Sequence, residues 1–181
     1  MIKYICNATL FLWGYLFNNI QYILNIHSLD EGVNYYGEIH QSSLNKVIHG
    51  LCMPITTYGL ILSVPVLLTL NNLEANIFRV WIYYFYLGLY YRINSFYATL
   101  FGIIYIYPVY LANKNYQYNL KTLLKGLSIS FCSLFIQEYI GHYLGGDDPS
   151  RPEGVLNAIL YASYFGPREI YLLSSNLLLG N

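Results

Sequence analysis

The residues best suited to chemistry in this chain are three histidines in two short clusters. The first cluster contains Tyr36, His40, Asn45 and His49 within YYGEIHQSSLNKVIHG, and the second ends at His142 in IQEYIGHYLGG. Imidazole is the most common metal ligand in proteins, and polar groups inside a membrane are costly unless they have a function. The two clusters therefore predict a metal site.

The spacing within the first cluster predicts a bend in the chain. His40 and His49 are nine residues apart, so on one continuous helix they would lie on opposite faces. Ser42 or Ser43 is a good helix N-cap, which predicts that one element ends at His40 and that His49 lies in the next helix. A bend between them lets both rings converge. Asn45 shares a helix face with His49, and we expect it to orient that ring or to bind substrate.

The second cluster adds a carboxylate. Glu138 and His142 are four residues apart on one predicted helix face. A carboxylate there either ligates a metal or holds a ring nitrogen of the histidine. Histidine with carboxylate is a ligand set suited to non-haem Fe(II). We therefore predict His40, His49 and His142 as metal ligands and Glu138 as a further catalytic residue.

The acidic residues after the second cluster fall in a different kind of segment. Asp147 and Asp148 begin the run DDPSRPE, which is rich in turn-forming residues. We interpret the run as a turn-rich loop and Asp147 and Asp148 as no more than a solvated turn within it.

The composition places these clusters in a membrane protein. Only 10% of the 181 residues are charged, against about 25% in soluble domains, and 56% are hydrophobic. The formal net charge is zero and there is no basic run, so nucleic acid is not an expected partner. The three cysteines are far apart and predict neither a metal site nor a disulfide framework. The length fits one domain, 1–181.

Runs without charged residues predict an all-α, polytopic membrane bundle of about four to six apolar helices. Residues 1–30 are predicted to hold an N-terminal apolar helix, and 31–181 form the core. We interpret 71–76 as a connection and expect the last helix to be interrupted near Gly166 and Pro167. The predicted crossing or re-entrant segments are about 5–26, 50–70, 78–92, 94–112, 120–144 and 154–178.

The order of these segments predicts where the histidines lie. If a hairpin forms around Asn94 and Ser95, both clusters lie at one membrane face. The Lys-bearing loop at 113–121 then lies at the opposite face, and positive charge favours the cytoplasmic side. Without the hairpin the clusters would be separated by the membrane, so a shared site requires it.

At these residues the chain resembles the family of fungal 2-hydroxy-palmitate dioxygenases, small membrane proteins of the endoplasmic reticulum. The first motif of the family is Tyr-x-x-x-His followed by Asn-x-x-x-His and a proline. The second motif is a helix ending in Gly-His, followed by Arg-Pro and later by an aromatic pair and a glutamate. The matching positions here are Tyr36, His40, Asn45, His49, Pro54, Gly141, His142, Arg151, Pro152, Tyr164, Phe165 and Glu169.

The chain departs from the family pattern at several positions, most of them near the second motif. The glutamate that follows the histidine in the family is replaced by Gly146 and Asp147, and the spacing from His142 to Arg151 and Pro152 is about two residues longer. The N-terminal 30 residues are also longer and more apolar.

The family usually has glutamine four residues before the histidine of the Gly-His pair. This chain has Glu138 at that position, and Gln137 lies one residue earlier. The similarity in hydropathy covers about residues 33–172.

The resemblance implies an Fe(II)-dependent oxygenase of fatty-acid α-oxidation in the endoplasmic reticulum membrane. A long-chain 2-hydroxy fatty acid would react with O2, lose its carboxyl carbon as CO2 and yield the fatty acid one carbon shorter, as in phytosphingosine breakdown. Tyr36 and Asn45 are expected to contact the substrate. Arg151 is expected to pair with its carboxylate, because a guanidinium matches a carboxylate in bidentate geometry.

Two other classes of protein remain open at this point. In a non-catalytic protein that shapes the bilayer or scaffolds partners, the histidines would be structural. In a zinc-dependent membrane hydrolase, Glu138 would act as the base. Di-iron lipid desaturases need about twice the four histidines found here, so they are not expected. The sequence predicts no oligomeric state.

Overall fold

The computed structural model describes residues 29–148 and 154–179 of the chain. All regular secondary structure in these ranges is helical and there is no strand, so the predicted all-α fold is confirmed. The predicted helix at 5–26 and the predicted substrate-binding residue Arg151 lie outside the described residues. A π-helical turn, Gln137–Tyr143, directly follows the helix Leu120–Ile136. The helices are α1 (Leu29–Glu38), α2 (Ser43–Leu67), α3 (Asn72–Tyr91), α4 (Ser95–Asn115), α5 (Leu120–Ile136) and α6 (Gly154–Leu179).

Within the described residues, three helical segments are long and apolar enough to cross a membrane, as expected of a multi-pass membrane protein. They are Ser43–Leu67, Ser95–Asn115 and Leu120–Tyr143. The last of these spans about 35 Å at the α-helical rise, slightly more than a bilayer core of about 30 Å. His142 therefore lies at one membrane face, and the short connection 116–119 lies at the other, with Lys114 in the last turn of α4 and Lys121 in the first turn of α5.

The connections between helices differ in part from the prediction. Asn71 accepts a hydrogen bond from the Glu74 amide and donates its own amide to the Glu74 carboxylate, and this capping box starts α3 at once. The interpretation of 71–76 as a connection is therefore wrong. Asn94 caps α4 directly after α3 ends, so the predicted hairpin is confirmed.

The last helix also differs from the prediction, because α6 runs through Gly166 and Pro167 without interruption. A Cβ atom on Gly166 would lie 3.0 Å from the Gly50 Cα atom, so these glycines let α6 pass close to α2. Membrane helices tolerate proline because neighbouring groups compensate for the lost backbone donor. Packing against α2 thus outweighs the local signal to break the helix.

Small residues bring α2 and α5 into close contact. A Cβ atom on Gly59 or on Gly126 would lie 2.6 Å from the carbonyl oxygen of the other glycine. Thr56 Oγ1 donates to Ser133 Oγ at 2.9 Å, and Ser133 Oγ donates to the Cys52 carbonyl at 2.9 Å. Close packing of small residues with hydrogen bonds between helices is typical of membrane proteins. This interface fixes the position of the end of α5, where His142 follows.

Replacing Gly126 by alanine is expected to lower the free energy of unfolding by about 1–3 kcal/mol, because the added methyl group has no space against the α2 backbone. The measurement is the thermal unfolding midpoint in detergent. Gly88→Ala is the matched control, since Gly88 is also helical but has no atom within 4 Å of an added Cβ. A Gly126→Ala midpoint equal to that of the control would contradict the close packing.

Candidate metal centre

The structure brings His40, His49 and His142 together, and we call them the three-histidine group. His40 follows the end of α1, and Ser42 accepts the Asn45 amide to start α2, as the spacing predicted. All three rings are buried, and their possible ligand atoms lie within 4.8 Å of one another. The ring centroid of His40 lies 4.3 Å from that of His49 and 4.8 Å from that of His142.

Hydrogen bonds at Nδ1 fix the tautomer of two of these rings. His40 Nδ1 donates to the Tyr36 carbonyl at 2.8 Å, and His142 Nδ1 donates to the Asp148 carbonyl at 2.6 Å. A neutral ring that donates through Nδ1 carries its lone pair on Nε2. Metal-binding histidines are usually oriented by such a bond from the other ring nitrogen. Both rings therefore have the tautomer that a ligand needs.

Two buried ring nitrogens have no hydrogen-bond partner within the described part of the chain. They are Nε2 of His40 and Nε2 of His49. A buried polar atom without a partner is costly and calls for an explanation. A bound cation would explain both atoms, because it would accept their lone pairs.

Tyr36 contacts two members of the three-histidine group. Its ring stacks on His40 at 4.3 Å between centroids, and its hydroxyl lies 3.3 Å from His49 Nδ1. Phe165 on α6 packs against both Tyr36 and His40. Burial raises the pKa of Tyr36, so its hydroxyl stays protonated. Tyr36 was predicted to contact substrate, and the structure shows that it also orients two histidines.

The environment keeps His40 neutral. Burial is the largest cause that lowers the pKa of His40 to about 4, and the hydrogen bond to the Tyr36 carbonyl only partly opposes it. At neutral pH the ring is uncharged, which is the form that binds metal. Histidine ligands at about 2.1 Å from one ion lie about 3–3.5 Å apart, so a small inward movement of the rings brings them into range.

A change in helix type decides which residues of the second cluster face inward. The backbone amides of Leu144 and Asp147 bond to carbonyls five residues earlier, which is the π-helical pattern. Each π turn holds one extra residue, so Gln137 and His142, five apart, share the buried face, and each is 1% exposed. Glu138 is exposed and lies outside the three-histidine group. Gln137 Nε2 instead donates to Thr56 Oγ1 at 2.9 Å.

Asn45 contacts the second cluster and not His49. Its Nδ2 donates to the Asp147 carboxylate at 2.7 Å and lies 3.4 Å from His142 Nδ1. A Cβ atom on Gly141 would lie 2.7 Å from Asn45 Oδ1, so only glycine leaves room for this arrangement. Asn45 thus joins the two clusters from the α2 side.

The structure assigns Asp147 a role that the sequence did not predict. Its carboxylate accepts the backbone amides of Gln41 and Ser42, each at 3.0 Å, as well as Asn45. Burial on its own raises the pKa of Asp147, but these hydrogen bonds outweigh it and lower the pKa overall. The interpretation of Asp147 as part of a solvated turn is therefore wrong. Asp147 clamps the bend between His40 and α2, and Asp148 orients His142 through its carbonyl.

Replacing Asp147 by alanine is expected to destabilise the fold by about 1–3 kcal/mol, because hydrogen bonds to a charged group are lost. A carboxyl group whose pKa is lowered by folding stabilises the protein above its unfolded pKa and loses this effect as the pH falls through its folded pKa. The difference in thermal midpoint from wild type should therefore be constant near neutral pH and shrink below about pH 4.

Glu38→Ala is the control for this measurement, because Glu38 is an exposed carboxylate near the same bend whose side chain takes no part in the hydrogen bonds of Asp147. Equal losses in Asp147→Ala and Glu38→Ala, or a loss that does not depend on pH, would contradict the clamp.

An elongated apolar cavity of about 420 Å³ extends from the three-histidine group. Tyr36 and His49 line one end of it, and Val64 and Arg79 line the other. From His49 to Val64 the cavity follows α2 for fifteen residues, or about 22 Å. Its volume is in the range of ligand-binding pockets. Glu138 also lies in its wall, so this predicted catalytic residue faces the cavity but not the three imidazoles.

The fold and the site together define a multi-pass, all-helical membrane protein with a buried three-histidine group at one membrane face. Comparisons of the chain with protein-family models, curated proteins and solved structures found no match. Its function is therefore inferred from the geometry of the site.

Proposed function

We propose that this protein is an Fe(II)-dependent oxygenase of the endoplasmic reticulum membrane. It would convert long-chain 2-hydroxy fatty acids to the fatty acid one carbon shorter and CO2, in α-oxidation. The observation that carries the proposal is the placement of two unpartnered, buried histidine nitrogens beside a third histidine at the end of an apolar cavity. Such a cavity fits an alkyl chain, and the histidines fit a metal.

The donor atoms of the site favour an acidic substrate. Among the described residues, no carboxylate joins the three-histidine group, and an imidazole that binds a metal ion contributes no negative charge, so a bound dication would keep its full charge. A bound metal ion is usually the largest local charge in a site, and it attracts an anion. The carboxylate of a 2-hydroxy acid meets this requirement, and its alkyl chain fits the apolar walls along α2.

The reaction needs no reductant beyond the substrate. A 2-hydroxy acid and one O2 give the shorter acid, one CO2 and one water, with four electrons passing from the two oxidised carbons to oxygen. When bound, ferrous iron would supply the open positions at which O2 and the substrate oxygens meet. Tyr36 and the Asp148 carbonyl would keep the rings aligned, and the packed helices would exclude water.

The π turn supports the proposed family relationship. The family pattern has glutamine four residues before its histidine, and this chain has glutamine five before it. Because the π turn holds one extra residue, Gln137 and His142 share the inner face. The departure at Glu138 is thereby compensated by the backbone.

A zinc-dependent hydrolase is the second candidate, and it rests on the same three imidazoles. Three histidines with an open fourth position form a known type of catalytic zinc site, and Glu138 in the cavity wall would be the nearby base. This candidate predicts activity with zinc and without O2.

Metal loading and gas exchange test the proposal. The full-length protein, purified in detergent, would be prepared without metal and then loaded with Fe(II) or Zn(II). With 2-hydroxyhexadecanoic acid, the Fe(II) form should consume one O2 and release one CO2 for each pentadecanoic acid formed. Activity of the Zn(II) form on esters would favour the hydrolase. Substoichiometric binding of every metal would reject both candidates and favour a non-catalytic protein.

A further inference from the structure

Arg79 stands at the far end of the cavity from the three-histidine group. Its side chain is fully buried and lines the cavity wall. Its Nε donates to the Ile61 carbonyl at 2.7 Å, and its Nη1 lies 3.2 Å from the side-chain oxygens of Asn76 and Asn113. The guanidinium packs over the Tyr116 ring at 4.3 Å. These contacts hold the head group in one place.

No charged group pairs with this guanidinium within the described ranges. All of its hydrogen-bond partners there are neutral oxygens, and its Nη2 has no partner among those residues. Arginine remains protonated in proteins, and a buried charge is costly unless it is paired. The contacts to Ile61, Asn76 and Asn113 account for its position but leave two N–H groups and the net charge unexplained.

The distance between Arg79 and the histidines suits a long aliphatic chain. Arg79 bonds to Ile61, twelve residues along α2 from His49, which is about 18 Å. An extended alkyl chain advances by about 1.25 Å for each bond of about 1.5 Å, so about 14 carbon–carbon bonds span this distance. The walls between the two ends are mostly apolar, including Met53, Leu60 and Ile82.

We propose that Arg79 is a carboxylate-binding site at the far end of the cavity. Its ligand is a long-chain aliphatic acid whose chain extends toward the three-histidine group. Two sources share this chemistry. One is the terminal carboxylate of a dicarboxylic substrate held at both ends, and the other is a simple fatty acid that enters with its carboxylate at Arg79. Binding of either carboxylate at Arg79 requires neither the oxygenase reaction nor a bound metal.

The test measures equilibrium binding to the full-length, metal-free protein in detergent, by calorimetry. Hexadecanoic acid is compared with hexadecan-1-ol, which has the same chain but no charge. Wild type should bind the acid about 10- to 100-fold more tightly, as expected for hydrogen bonds to a charged group. Equal binding of the acid and the alcohol would overturn the proposal, whatever the behaviour of any variant.

Arg79→Gln assigns the effect to the guanidinium. The preference for the acid should disappear in this variant and persist in Arg168→Gln, the control, because Arg168 pairs with Glu169 away from the cavity. A folded Arg79→Gln protein that keeps the preference would overturn the proposal. If the variant does not fold, the comparison of acid and alcohol in wild type decides alone.

A second arm distinguishes the two sources. Hexadecanedioic acid and hexadecanoic acid are compared in the metal-free and metal-loaded protein. If metal loading raises the affinity for the diacid further, the ligand is held at both ends. If the two acids bind with equal affinity, the ligand is a simple fatty acid. Either result supports the site, provided that Arg79→Gln weakens the binding of both acids. Loss of metal binding or of O2 uptake would reject the oxygenase and leave the metal-free result unchanged.

Discussion

Replacement of His49 by alanine is expected to abolish metal binding and, with it, all oxygenase activity. His49 contacts both other histidines, and its buried Nε2 has no partner in the described part of the chain. Loss of a residue that merely orients a ligand costs about 10- to 100-fold in metal affinity, so loss of a ligand should cost more than about 100-fold. The measurements are metal content by mass spectrometry and O2 uptake.

Two variants calibrate this result. His27→Ala removes a histidine that the sequence places outside both clusters, and it should match wild type. Tyr36→Phe removes only the hydroxyl beside His49 and keeps the ring stacked on His40. Its metal content and O2 uptake should therefore lie between those of wild type and His49→Ala. Wild-type metal content in His49→Ala would show that the three-histidine group is not a metal centre.

Filling the middle of the cavity is expected to change which substrates are accepted. Thr57 lines the cavity eight residues after His49, or about 12 Å along α2. Phenylalanine at this position would block the path of a long chain but not the space near the histidines. With Thr57→Phe, kcat/KM for 2-hydroxyhexadecanoic acid should fall about 100-fold, which corresponds to about 2.7 kcal/mol, whereas 2-hydroxyoctanoic acid should be little affected.

Ile55→Phe is the matched control, because Ile55 is on the same helix but is exposed on the outer surface of the bundle. Ile55→Phe should leave kcat/KM unchanged for both substrates. Equal losses for long and short acids in Thr57→Phe would indicate damage to the fold, and equal retention would show that the alkyl chain does not occupy this cavity.

Much of the fold could be predicted because lipid imposes a simple pattern. Uncharged runs marked the spanning helices, and the need for one shared site predicted the hairpin at Asn94. The errors lie where a particular contact outweighs a local tendency. Asn71 and Glu74 form a capping box in a segment that looks like a loop, and close packing of Gly166 on Gly50 keeps α6 continuous through a Gly-Pro pair.

The candidate metal ligands could be proposed from residue type, because histidines in polar islands of an apolar chain are rare enough to be informative. The residues that orient these histidines could not be predicted in this way. Asp147 bonds to the backbone about 105 residues earlier, and a local sequence pattern carries no sign of such a contact. Glu138 was placed by α-helical periodicity, which a π turn changes. The cavity and the position of Arg79 depend on how the six described helices pack, so they emerged only from the structure.

The π turn also bears on how this chain tolerates changes in length. Shortening the segment by one residue, for example by deleting Ile140, would leave Gln137 and His142 four apart. An ordinary α-helix would then present both to the interior, and the rest of the bundle would keep its register. The same deletion earlier in α5, between Gly126 and Ser133, would rotate every later residue by about 100° and turn the histidine toward lipid. The end of this helix is thus a place where evolution can add or remove a residue without losing the site.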